Sequence, residues 1–246
     1  MLALTLEKIS STTQAASQDL DVRIFLDHTI LESRIAETEY VRDNFFPTAE
    51  IFHANNHVLV PSGSWNILQS LVAGYKTGSD FVFLIEEDIL VTPDFFDRHI
   101  EMQNSGDYFV TCGRKLKYRD EFYYSNPGTC YKRDKLGLVV PHVCPEYFAN
   151  QKEYLESRFP DMSDAGILDD GLVRRAMQFV GGRAMCAVPA IAQHVGFHMY
   201  QRTSLYRNEG NIEEKISWIR NFLSDIPARK KSDPRYIGDL EELDEN

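Results

Sequence analysis

Phe81-Val82-Phe83-Leu84-Ile85 is followed at once by Glu86-Glu87-Asp88. Five consecutive apolar residues show no alternation, so the run predicts a strand buried on both faces, within a sheet that helices cover on two sides. The three acids then stand at the carboxyl end of that strand, which is where open α/β sheets bind ligands. Adjacent carboxyl groups repel one another, and each costs desolvation energy unless a cation or hydrogen bonds compensate. A hard divalent ion with oxygen ligands meets that demand and also binds phosphates. A solvated acidic turn is the plainer alternative. The apolar run before the triplet and Pro93-Asp94-Phe95-Phe96 after it favour the ion.

The flanking sequence agrees with a sheet of this kind. Val22 to Leu26 is a short β-branched and aromatic run that empties into Asp27-His28-Thr29, and Ala49 to His53 predicts a second strand. Residues 2–17 and 32–45 have helical spacing. A third helix starts at Ser62 or Ser64, turns Leu68 and Leu71 inward and stops before Gly78. Strands alternating with helices predict an α/β fold with a mostly parallel sheet and helices on both faces. Further strands are expected at 108–112, 136–140 and 184–191, and helices at 146–159, 168–179 and 211–223. Residues 114–135 are polar, aromatic and broken by Asn126-Pro127-Gly128, which predicts a loop or hairpin outside the core. The expected organisation is one domain over 1–225, with a first half to about 106 and a second half from 107 as a smaller lobe. A charged tail follows over 226–246.

A formal net charge of -11 argues against a broad basic face for a nucleic-acid backbone. Cys112, Cys130, Cys144 and Cys186 form no C-x-x-C pair, which excludes a zinc ribbon or dithiol motif of that spacing and fits a reducing compartment. No stretch reaches the roughly 18 apolar residues of a membrane span, and the start lacks a signal-peptide pattern. The expectation is a cytoplasmic protein. Neither a G-x-x-x-x-G-K-[ST] loop nor a strand-linked G-x-G-x-x-G is present, and the Gly-rich loop of sugar nucleotidyltransferases is not visible.

An apolar strand, an acidic triplet, a hydrophobic pair and then P-D-F-F resembles the modified DXD region of N-acetylglucosaminyltransferase I and its relatives. Their triplet reads E-D-D, where this chain has Glu87 in the middle. The resemblance implies a GT-A glycosyltransferase, with Asp88 as ligand to Mn²⁺ (or Mg²⁺) and Glu86 and Glu87 near the ribose or phosphates. Downstream, Leu168-Asp169-Asp170-Gly171 is similar to the family's W-D-D-W segment, which supplies the catalytic base, without its Trp residues. Gly182-Arg183-Ala184, Cys186 and Pro189 resemble its R-G-R-A-C-x-x-P stretch. Arg23 to Asp27 resembles the strand whose last Asp lies near the uridine. His194, in an H-x-G arrangement, matches the late His that completes the metal shell or touches the diphosphate in many such enzymes; a structural His is the alternative. The donor implied is a nucleotide diphosphate sugar, with a UDP-sugar favoured.

Asp169-Asp170 also has a reading of its own. Displacing a nucleotide with inversion requires a carboxylate to take the acceptor hydroxyl's proton, and an acid opening a helix beside the pocket suits that role. Asp170 is the preferred base. N-capping is the alternative, with Asp169 as the cap. Tyr118, Phe122, Tyr123, Tyr124 and Tyr131 form either an acceptor platform or the packing of a small lobe. Arg202 and Arg207 are candidates to close over the diphosphate. A GT-A fold normally opens with a base-binding strand; here Leu2 to Leu6 substitutes for it, or the sequence begins in the next helix. The acceptor stays open among a glycan, a protein, a lipid-linked sugar and a modified nucleobase, and so does the oligomeric state. A second reading is a non-catalytic module that binds a nucleotide sugar or glycan.

Overall fold

The computed structural model describes residues 2–14, 20–27, 32–53, 62–114, 128–160 and 168–194. Residues 2–10 are helix α1 (Leu2–Ser10), with Ala3, Leu4, Leu6 and Ile9 buried. Ala3, Leu6 and Ile9, three apart, share one face and join one core, so Leu2 to Leu6 does not stand in for a strand. Strand β1 (Arg23–Leu26) and β2 (Glu50–His53) pair in parallel across helix α2 (Glu32–Phe45). Helix α3 (Ser62–Lys76) lays Leu68 and Leu71 on the core, and Gly78 turns the chain at φ 82°, a conformation only glycine adopts freely. Strand β3 (Phe81–Leu84) follows, then β4 (Ile89–Val91) and helix α4 (Phe95–Asn104).

The main sheet takes β3, then β6 (Thr129–Lys132), β5 (Val110–Cys112) and β7 (Ala184–Cys186), in that spatial order. β6 runs antiparallel to both neighbours, and β5 is parallel to β7, so three of the four strands point the same way. The fold is mixed α/β with helices on both faces. Alternation along β3 sends Val82 and Leu84 to one face, where they meet Leu68, Leu71, Leu172 and Val173. Phe83 and Ile85 go to the other, against Phe95, Phe96 and Ile89. β4 forms a separate antiparallel ribbon with β8 (Ala192–His194).

Several elements depart from expectation. The segment expected to be a loop over 114–135 holds β6, a core strand in which Thr129, Cys130 and Tyr131 are fully buried. Residues 136–140 are not a strand. Helix α5 (Arg133–Leu136) ends there, and Gly137, Leu138 and Val139 close successive turns by donating to Arg133, Lys135 and Leu136, before a 3₁₀ turn at Val140–His142. The helix expected over 146–159 is two, α6 (Pro145–Ala149) and α7 (Gln151–Arg158). Asn150 breaks it at φ -155°, ψ 87°, and caps α7 by accepting from the Glu153 N–H at 3.2 Å. Of the strand expected over 184–191 only 184–186 forms, as β7, and the next strand, β8, starts beyond it at Ala192. Helix α8 (Asp169–Phe179) forms as expected. The expected helix at 211–223 and the tail from 226 lie outside the described residues. Among the described residues, no helix is long and apolar enough to cross a membrane.

Candidate functional site

Leu84, Cys112 and Cys186 are the last residues of the three co-directional strands, and Thr129 lies between the first two in register. They mark one edge of the sheet, the carboxyl edge. Beyond Leu84 the chain makes a tight turn closed by the Ile89 N–H donating to the Glu86 carbonyl at 3.1 Å. Glu87 and Asp88 occupy its centre. The turn divides the triplet: Glu86 is half-buried, Glu87 exposed, and Asp88 only 3% exposed. Of the three acids, only Glu87 has the exposure of a solvated turn residue. Helix α1 braces the turn, since the Thr5 hydroxyl donates to the Glu87 carbonyl at 2.7 Å.

Ile89, the residue after Asp88, pairs directly with His194 across the β4–β8 ribbon. The ribbon is pressed onto the sheet edge at Gly113, whose carbonyl accepts from the Ile191 and Ala192 N–H groups at 2.7 and 3.1 Å. The His194 imidazole lies outside the described side chains. Among the described residues, no three His, Cys, Asp or Glu side chains converge as a metal-binding group.

Three further predicted residues, Asp27, Asp169 and Asp170, reach the same edge by topology. Asn66, early in α3, donates to the Phe25 carbonyl at 3.0 Å. The α3 helix runs against β3, so its start lies at the carboxyl edge, and Asp27 just beyond β1 is carried there. Helix α8 ends where β7 and β5 begin: the Gly182 N–H donates to Met177, and the Phe109 N–H to Arg183, both at 2.8 Å. Its first residues therefore face the carboxyl edge. The expected cap is corrected here. Leu168 occupies the N-cap position with no side-chain cap bond, and Asp169 and Asp170 are the first two helical residues. Asp169 is buried, whereas Asp170 is open to water yet walled by protein. Desolvation first, and the neighbouring Asp169 charge second, push the Asp170 carboxyl up to about 7.

Tyr131 is not on an acceptor platform: it is fully buried in the core. Tyr118, Phe122, Tyr123 and Tyr124, and Arg202 and Arg207, lie outside the described residues. Sequence reasoning missed Arg114, which follows β5 at this edge and is 6% exposed. An arginine two residues past a strand's last residue was the available signal, hidden because the strand was read as leading into a polar loop.

No protein-family model and no curated protein sequence matches the chain. Among solved structures, a cytidylyltransferase from Leptospira borgpetersenii serovar Hardjo-bovis aligns over 62% of this chain and 61% of that one, with a TM-score of 0.38 and 12% identity. The chain thus matches less than two thirds of that protein's length, and a likeness this distant carries no inference about activity.

Proposed function

We propose that this protein is a metal-dependent glycosyltransferase of the GT-A type that moves a sugar from a nucleotide diphosphate donor to an acceptor hydroxyl with inversion. The observation that carries the reading is Asp88, a carboxylate buried in a tight turn at the carboxyl edge, with His194 in register beside the next residue. A buried carboxyl group at this edge supplies the kind of oxygen donor that a hard divalent ion takes. One or two protein ligands suffice for a divalent ion whose remaining positions are filled by substrate phosphates and water. Asp88 would hold Mn²⁺ or Mg²⁺, with His194 completing the set, and the bound ion would offset charge growing on the departing diphosphate.

Glu86 and Asp27 are assigned to the nucleotide, with UDP favoured by the resemblance of the acidic triplet to the N-acetylglucosaminyltransferase I family. Asp170 is assigned as the base that takes the acceptor's proton. A carboxyl group held near 7 is matched to proton transfer at neutral pH. Four unbridged cysteines support a reducing, cytoplasmic setting.

Calorimetric titration of UDP and GDP, with and without Mn²⁺, into wild type and Asp88→Ala tests the donor site. Binding that requires both the metal and Asp88 is expected. Absence of metal-dependent binding to either nucleotide would remove the enzyme reading. A non-catalytic binding module is the second reading, and it rests on the same edge. Loss of transfer with retained donor binding in Asp170→Asn excludes it.

A further inference from the structure

Four Asp, Glu, Lys or Arg residues are buried among the described residues: Asp88, Arg114, Asp169 and Arg175. Three of them, Asp88, Arg114 and Asp169, stand at the carboxyl edge, and the fourth lies within the helix that Asp169 opens. Buried charge is expensive to maintain and collects where chemistry or binding uses it. Asp88 is assigned to the metal, and Asp169 is the neighbour whose charge helps to raise the carboxyl of the assigned base, Asp170. Arg114 has no role so far.

The position of Arg114 is set by backbone geometry on both sides. Cys112 is locked between Thr129 and Cys186 in the sheet register. Gly113 donates to the Gly128 carbonyl at 2.8 Å and accepts from Ile191 and Ala192. It lies so close to β8 that an added Cβ would come within 2.5 Å of the Ala192 Cβ. Arg114 is therefore carried on a rigid strand end, next to the ribbon that holds His194 opposite Ile89. The planar fork of N–H donors on its guanidinium matches phosphate oxygens.

We infer that Arg114 is a diphosphate-binding residue, a fixed cation that shares the donor's pyrophosphate with the metal held at Asp88. The assignment rests on the donor-site reading above and deepens it. A metal ion is exchangeable, whereas an arginine fixed to β5 is present before the donor arrives, so the edge is charged for pyrophosphate in advance. The chain's net charge of -11 makes a local cation more necessary, because the average field repels a nucleotide diphosphate.

The test titrates UDP and uridine, each with Mn²⁺, into wild type, Arg114→Gln and Arg114→Lys. In Arg114→Gln the Kd for UDP should rise about 10- to 100-fold, the usual effect of losing a hydrogen bond to a charged group. The Kd for uridine should stay within about twofold, because the nucleoside lacks the phosphates. Arg114→Lys should recover part of the loss by restoring charge without the fork. Unchanged UDP affinity in Arg114→Gln overturns the assignment, and so does an equal weakening of UDP and uridine, the mark of a merely structural arginine. If Arg114→Gln does not fold, Arg114→Lys decides: weaker UDP binding with unchanged uridine supports the role, and unchanged UDP binding overturns it. Failure of wild type to bind UDP is a separate outcome, which removes the donor-site reading and this assignment together.

Discussion

An acid in the first turn of a helix normally gains from the helix field, which favours the ionised form. At Asp170 that gain is outweighed: the loss of water and the charge of Asp169 raise its carboxyl to about 7. A base must be ionised to accept a proton, so transfer should rise with pH through about 7 and then level off. Asp170→Asn should lower kcat by about 10²- to 10⁴-fold while leaving UDP affinity unchanged. The same shift has a thermodynamic sign. A carboxyl whose folded pKa lies above its unfolded value destabilises the fold as it ionises, so the cost is absent below about 4 and complete above about 7. Asp170→Asn should therefore be the more stable protein at pH 8, by about 1 kcal/mol after screening by water at this open site, and equal to wild type at pH 4. Melting curves at the two pH values measure it. His99 runs the other way. It is fully buried, bonds Thr111 at 2.7 Å through Nδ1, and burial lowers its pKa to about 3. The unfolded chain takes up this proton near 6.5 and the folded one does not, so stability falls between pH 6.5 and 3. From pH 7 to pH 4 denaturant midpoints of wild type should fall by the equivalent of about 3 kcal/mol more than those of His99→Asn, a comparison in which other titrating groups cancel.

Among the elements, the β4–β8 ribbon is the one that sets His194 opposite Ile89, beside Asp88. Its packing depends on two glycines: Gly113, and Gly128 at φ 63°, where an added Cβ would meet the Ala192 Cβ at 2.9 Å. Gly113→Ala should cost about 1–3 kcal/mol through overpacking. Because the strain falls on β8, it should also weaken Mn²⁺-dependent UDP binding. Leu71→Ala, on the opposite core, should cost about 2–5 kcal/mol and leave nucleotide affinity unchanged in the folded protein. The elements legible in the sequence were those whose own residues determine them: the uniform apolar run of β3, the helical spacing of α3, and the boundaries of α8. β6 was not legible, because Thr129 and Cys130 are buried by two flanking strands rather than by their own hydrophobicity. Leu136 to Val140 misled in the opposite direction. Its apolar residues serve as turn packing after α5, with Gly137 closing the short helix. The ribbon, three residues on each side, is too short to carry a period. The acidic turn could be placed by the strand before it, whereas Arg114 needed the sheet register to reach the same edge.

For the whole molecule, β3 gives alternate side chains to two cores that lie on opposite faces of one sheet. Displacing β3 therefore disturbs both cores at once. Unfolding by urea should then be a single transition, with coincident curves from far-UV circular dichroism and, in a Trp218→Phe variant, from the fluorescence of Trp65, which packs on the first core. Separate midpoints would mean that the cores fail independently. The pairing of Ile89 with His194 also sets an order of assembly in time. During synthesis the acidic turn leaves the ribosome roughly a hundred residues before its partner strand, an interval of about 5 to 20 s at ordinary elongation rates. Through that interval the nascent chain carries Asp88 without β8 beside it, so the acidic turn gains its neighbouring strand only when the later half has been translated, and a ribosome stalled short of residue 192 holds a chain in which the β4–β8 ribbon cannot form.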